Sequence, residues 1–300
     1  MLTRLAETTV AAVLLAGVTA CGSSNSAPPS SSGAAGSGGC ATGSITASGS
    51  TALLPLVQKA GDAYQARCTG ASITVSGGGA STGLADVPSG TSDIGDSDVP
   101  AKDAKSIDPS TIRDHQVAIV VFSVAVNQAA GVTNLTTAQV RDIFSGKVSN
   151  WKAVGGADVP ISLYLRKPGS GTRLSFDKII MKGRAESGSP AGVVDSTQQL
   201  LSLLAVAPGG VSYSAASSIS PGGAVIAVSL DGHPATDDAV KSGAYGFYSH
   251  EHMYTKTSGS SPLAESFIAY IVGEDFQSQQ LTALGFLPAA TQATPSEADK

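Results

Sequence analysis

Polar and apolar residues alternate along this chain in short blocks of two kinds. Ile161, Leu163 and Leu165 alternate with Ser162, Tyr164 and Arg166, the two-residue period of a half-buried strand. Leu174, Phe176, Ile179 and Ile180 follow at helical spacing, so a strand to Arg166 and a helix over 170–181 are predicted. The same reading gives strands at 44–48, 72–76, 93–95, 211–213 and 224–228, and helices at 51–67, from Ser81, and at 136–144, 196–205, 262–272 and 275–284. The first helix carries Leu53, Leu56, Val57, Ala60 and Tyr64 on one face. Val117 to Val126 is a long apolar run interrupted only by Ser123, predicting a buried strand that continues from one subdomain into another. Strands alternating with helices argue for an α/β fold with mostly parallel sheets.

Three of these strands run into a turn of Gly and hydroxyl residues and then into a helix. The turns are Gly49-Ser50-Thr51, Gly77-Gly78-Gly79-Ala80-Ser81-Thr82-Gly83 and Gly169-Ser170-Gly171-Thr172. Each offers backbone N–H groups, hydroxyls and the positive end of a helix dipole. Arg166, just before the third turn, adds a guanidinium fork suited to a tetrahedral oxyanion. One such turn is commonplace; three beside an arginine point to one small anion. No Lys-Ser or Lys-Thr pair follows a glycine loop, which argues against a nucleotide. Asp98, in Gly95-Asp96-Ser97-Asp98, fits an anion site if the anion carries a proton, because a carboxylate accepts from P–OH and is left unpaired against sulfate. Asp96 and Asp98 as plain turn residues is the alternative.

Composition narrows the field. The net charge is −5 and only 14% of the 300 residues are charged, so there is no basic stripe for nucleic acid. Arg4, the apolar run Val10 to Val18, and Val18-Thr19-Ala20-Cys21-Gly22 read as an export signal over 1–20 with a bacterial lipobox, placing a lipid on Cys21. A secretory signal without lipid is the alternative. Residues 21–40, rich in Ser, Gly, Ala and Pro, read as a tether with a reach of roughly 20–25 Å, and 291–300 as a polar tail. Cys40 and Cys68 remain as an even pair, expected as a disulfide in an exported chain, with two free thiols as the alternative.

Taken together, Gly49-Ser50-Thr51 before Pro55, the Gly77–Gly83 turn, Gly95-Asp96-Ser97-Asp98 and Arg166 with Gly169-Ser170-Gly171-Thr172 resemble the phosphate-binding protein of the high-affinity bacterial phosphate ABC transporter. Ile143-Phe144-Ser145-Gly146 with Asn150-Trp151, and Gly210-Val211-Ser212-Tyr213, add to the likeness, which spans about 44–288. It implies a two-lobed type II periplasmic-binding fold, lobe 1 from 44–122 plus 249–290 and lobe 2 from 123–248, each a mostly parallel sheet flanked by helices, with hinge crossings near Val121–Val124 and Tyr248–His252. It implies inorganic phosphate as ligand, held by Ser50, Thr51, Ala52, Ala80, Ser81 and Asp98 from one lobe and Arg166, Ser170, Gly171 and Thr172 from the other. It also implies ABC permease subunits with a cytoplasmic ATPase as partners, anchoring at the outer face of the cytoplasmic membrane, a monomer, and no cofactor, metal or catalysis. The family usually carries Ser directly after the third glycine of the second turn. Here Ala80 takes that place, so either its N–H serves alone or Ser81 reaches in.

Four other readings compete. The fold could serve another oxyanion, or a receptor that does not transport. Gly79-Ala80-Ser81-Thr82-Gly83 spells a nucleophile elbow, and with Asp195 or Asp231 and His233, His250 or His252 downstream would make a serine esterase. The preceding glycine run and the lack of an HGGG-type segment weigh against that. His250-Glu251-His252 could begin a metal site, but with four histidines in the chain a surface strand or loop is the plainer expectation.

Overall fold

The computed structural model describes residues 39–103 and 107–291. The export signal, Cys21, nearly all of the tether and of the polar tail lie outside the described residues.

The first strand–helix units follow the predicted alternation. β1 (Gly43–Gly49) leads into α1 (Leu54–Arg67), β2 (Ala71–Gly77) into α2 (Ala80–Ser89), and β3 (Ile94–Ser97) follows. The three strands pair in parallel in the order β2-β1-β3. α2 lies directly on β3 because Gly83 and Gly95 meet without side chains; a Cβ on Gly95 would stand 2.3 Å from the Gly83 carbonyl oxygen. α1 begins at Leu54 rather than Thr51. Pro55 at its first turn costs no hydrogen bond there.

β4 (Ile112–Asn127) is one continuous 16-residue strand. After it come β5 (Asn134–Leu135), α3 (Thr137–Phe144), β6 (Ser162–Arg166), α4 (Gly171–Phe176), β7 (Gly192–Val194), α5 (Thr197–Ala205), β8 (Gly210–Ala215), β9 (Val225–Leu230) and α6 (Asp237–Lys241). α3 starts at a capping box, Thr136 with Gln139. The helix predicted over 170–181 is shorter: α4 stops at Phe176 and a π turn carries Asp177–Met181. β10 (Tyr248–Lys256), α7 (Pro262–Val272), α8 (Glu274–Phe276) and β11 (Leu287–Pro288) complete the described chain. The predicted 275–284 helix is likewise divided, into α8, a π turn and a 3-10 turn.

The sheet runs β2-β1-β3-β10-β4-β8-β6-β7. Its two ends are parallel, while the strands that join them pair antiparallel: β10 with β3 and β4, and β4 with β8 and β9. β4 changes partner along its length. Ile112–Val121 face β10, and Phe122–Asn127 face β8 and β9. Every residue from Val117 to Asn127 is buried, the polar Ser123 and Asn127 included, which is why this stretch is mostly apolar without a two-residue period.

The core continues behind β6. Phe144, Phe176, Tyr213 and Phe247 stack with centroids 4.2–5.8 Å apart, and each such ring contributes about 1.5–3 kcal/mol by burial. Trp151 is fully enclosed, its Nε1–H donating to the Gly209 carbonyl at 3.0 Å. Cys40 and Cys68 form a disulfide with Cα atoms 5.2 Å apart.

β10 departs most from expectation. Residues 250–252 are not a surface segment: Glu251 is fully buried and His252 is 1% exposed. The register against β4 shifts between Glu251 and His252, where Val117 is the extra residue of a bulge in β4.

Candidate functional site

Parallel strands place their carboxyl ends together, and helix N-termini gather at the same edge. In this chain the ends of β1, β2, β3 and β6 deliver the four sequence-predicted segments to one place, and the end of β7 delivers a fifth. Backbone hydrogen bonds tie them. Ser50 N–H donates to Asp96 O at 2.9 Å, Gly79 N–H to Gly49 O at 2.8 Å, and Ser81 N–H to Gly169 O at 3.0 Å.

On the β1 side, Ser50 is 1% exposed and its Oγ accepts the N–H groups of Ala52 (3.1 Å) and Leu53 (3.0 Å). Ser50 therefore caps the approach to α1. The Ala52 N–H, expected to face an anion, is directed to Ser50 instead. Ala80 is fully buried at the first position of α2, where N–H groups lack intrahelical partners. Ser81 is half-buried and turned to the opposite segment: its N–H is used on Gly169, and its Cβ lies 3.1 Å from the position a Gly169 Cβ would take. Of the two routes left open by Ala80, the geometry favours the Ala80 N–H.

From the β6 side, Arg166 is 1% exposed. Its Nη2 donates to Thr51 Oγ1 at 2.9 Å and to Asp195 O at 3.0 Å, and its Nη1 to Thr197 Oγ1 at 3.4 Å. Ser170 caps α4, its Oγ accepting from Arg173 N–H at 3.4 Å. Thr172 Oγ1 donates to Asp98 Oδ2 at 2.8 Å. Gly171 packs between Asp98 and Ala80. A Cβ there would stand 2.8–2.9 Å from the Cβ atoms of both, so only glycine lets the two sides meet this closely.

The electrostatics centre on buried carboxyls. Burial raises the Asp98 pKa, while the hydroxyls of Ser50 and Thr172, the Arg166 guanidinium and the Thr172 N–H oppose the rise. Asp96 and Glu251 are fully enclosed and pushed well above the carboxylate range, first by burial and then by the charge of Asp98. No hydrogen-bond partner among the described residues reaches Asp98 Oδ1, the Arg166 Nε–H, or either carboxyl oxygen of Asp96 or Glu251. Burial also lowers the Arg166 pKa, opposed by Asp98 and other neighbours. A guanidinium stays charged through such a shift.

A buried scaffold backs Arg166. Tyr213 OH accepts from the Arg166 N–H at 3.5 Å and donates to Glu186 Oε1 at 3.0 Å, and Arg173 pairs with Glu186 at 2.6 Å. Sequence reasoning did not single out Thr197, the Asp195 carbonyl, Glu186 or Arg173; it named Glu251 only within a possible metal site and Tyr213 only within the family likeness. The only local signal was Ser196, whose side chain caps α5. None of the hydrogen bonds of Ser81 among the described residues involves a histidine, while His252 Nδ1 lies 2.8 Å from Asp114 Oδ1. Among the described residues no group of three or more His, Cys, Asp or Glu is arranged to hold a metal ion.

The class these observations point to is that of the substrate-binding proteins. Residues 34–275 match the PBP superfamily domain. The Bacillus subtilis strain 168 phosphate-binding protein PstS is 37% identical over 86% of this chain and 85% of its own length. A Clostridium perfringens substrate-binding protein solved with bound phosphate superposes with a TM-score of 0.75 at 26% identity, covering 82% of this chain and 99% of that one. The Vibrio cholerae ABC-type phosphate transport receptor gives 0.64 at 25% identity over 81% and 99%. The chain belongs to the phosphate-binding-protein family of the PBP superfamily.

Proposed function

We propose that this protein binds inorganic phosphate between Asp98 and Arg166 and delivers it to an ABC permease for uptake. One observation carries the reading: a buried carboxyl and a buried guanidinium lie near enough to act on each other's charge, and each has one polar atom unpartnered among the described residues, Asp98 Oδ1 and Arg166 Nε–H. A phosphate that keeps a proton satisfies both. Its P–OH donates to Asp98 and an unprotonated oxygen accepts from Arg166. Thr51, Ala80, Ser170, Gly171 and Thr172 supply the remaining polar wall, and the α2 and α4 N-termini favour negative charge there.

The same reading assigns the two lobes to 44–122 plus 249–290 and to 123–248. It draws support from the point where β4 exchanges β10 for β8 and β9, Val121/Phe122. Closure about that crossing and the start of β10 desolvates the anion and presents the permease with a fixed shape. Export, a lipid on Cys21 and monomeric action complete the picture; among the described residues no helix is long and apolar enough to cross a membrane.

Titration calorimetry of the purified chain with phosphate, sulfate and molybdate tests this. Saturable heat with phosphate and none with sulfate is expected. Equal binding of the two, or no binding of phosphate, overturns it.

A further inference from the structure

Thr197 was not part of the anticipated ligand set, yet it is 4% exposed and sits where the two walls of the cleft meet. It opens α5, with Ser196 as N-cap. Its N–H donates to Thr51 Oγ1 at 3.3 Å, its Oγ1 lies 3.2 Å from Thr51 Oγ1, and it accepts from Arg166 Nη1 at 3.4 Å.

The hydrogen-bond inventory fixes the directions. A hydroxyl has one proton and two lone pairs. Thr51 Oγ1 accepts from Arg166 Nη2 and from the Thr197 N–H, so its own proton goes to Thr197 Oγ1. Thr197 Oγ1 then accepts from Thr51 and from Arg166. With the Asp195 carbonyl on Nη2, both Nη2 protons and one of the two Nη1 protons are held by protein oxygens, while Nε–H has no partner among the described residues.

The same two threonines face outward. A groove of about 850 Å³ runs beside the site, lined by Thr51, Leu54, Gly77, Lys167, Asp195 and Thr197 among others. Arg166, Asp98 and Thr172 do not line it, and each is at most 1% exposed. Thr51 and Thr197 are therefore the partition between groove and anion cleft. An ester substituent on a bound phosphoryl group has to break their contact to reach the groove.

We propose that Thr197 is a positioning and specificity-determining residue: it holds Nη1 of Arg166 and, with Thr51, seals the cleft so that free orthophosphate enters and phosphate monoesters are refused. This rests on the phosphate reading above.

The test compares wild type with Thr197→Ser, which keeps the hydroxyl, and Thr197→Val, which keeps the shape. Thr197→Ala provides a second hydroxyl-free variant should Thr197→Val fail to fold, as judged by circular dichroism. Each full chain is titrated calorimetrically with phosphate and with glycerol 1-phosphate. Wild type and Thr197→Ser should bind phosphate within about threefold of each other and give no heat with the ester. Thr197→Val and Thr197→Ala should each lose at least about tenfold in phosphate affinity, and Thr197→Ala, which also thins the wall, should acquire ester binding. A smaller loss, a serine variant as weak as the hydroxyl-free variants, ester binding by wild type, or no ester binding by Thr197→Ala overturns the proposal. Wild type that binds no phosphate at all overturns the functional reading instead, and this inference with it.

Discussion

Thr172 Oγ1 donates to Asp98 Oδ2 at 2.8 Å, joining the first turn of α4 to the residue just past β3. The bond uses one carboxylate oxygen and leaves Oδ1 without a partner among the described residues, the atom to which the proposed function assigns the proton of phosphate. It also means that the side chains opposing each other across the cleft are in register before any ligand geometry is invoked.

Replacing Asp98 by Asn keeps the shape but offers the ligand an N–H in place of an acceptor. Sulfate, which has no proton to donate, should then bind, and the preference for phosphate over sulfate should fall at least tenfold. Competition calorimetry reads this directly. An unchanged ratio would mean that Asp98 only shapes the turn.

Gly171→Ala places a methyl group 2.8–2.9 Å from Asp98 and Ala80. Two backbone segments must separate to admit it, at a cost of about 1–3 kcal/mol. Phosphate affinity should drop by about tenfold or more while circular dichroism stays native. Wild-type affinity would show that the two walls do not need this close approach.

Asp96 and Glu251 carry a pH dependence whose sign is fixed. Both bind protons more tightly folded than unfolded, because burial penalises their charged forms. Their stabilising contribution is complete below the ordinary carboxylate range and is lost as pH rises through the raised folded values. The melting temperature of wild type should therefore fall from mildly acidic to alkaline pH. The double variant Asp96→Asn/Glu251→Gln should show a flatter profile, and identical slopes would count against protonated acids at these positions.

The Cys40–Cys68 bridge joins the segment before β1 to the far end of α1, with a sequence separation of 28. Changing both cysteines to serine should lower unfolding free energy by about 3 kcal/mol in urea melts. Phosphate affinity should hardly change. α1 is 14 residues long, so its cysteine end lies about 21 Å from the cleft end.

Much of this was legible beforehand, and the reason is local. Strand period, glycine–hydroxyl turns and helix period lie within a few residues of one another, so the ends of β1, β2 and β6 could be read directly, and Arg166, Ser170 and Thr172 with them. What escaped notice depends on distance along the chain. Thr197 meets Thr51 across 146 residues, and no window of sequence announces that contact. β10 misled for another cause: Ser249, His250, Glu251 and His252 look like a solvated run, yet the strand lies between β3 and β4 and takes its polar groups inside. The π turn after α4 has no sequence signature we recognise.

The place of β10 between β3 and β4 also governs how the chain acquires its shape. The sheet that begins at residue 43 stays split until residues 248–256 arrive to bridge it. Pairings of such long sequence separation form slowly. A nascent chain consequently lacks its central staple until nearly the whole polypeptide is available, and the strand ends that carry Asp98 and Arg166 are joined into one sheet only then.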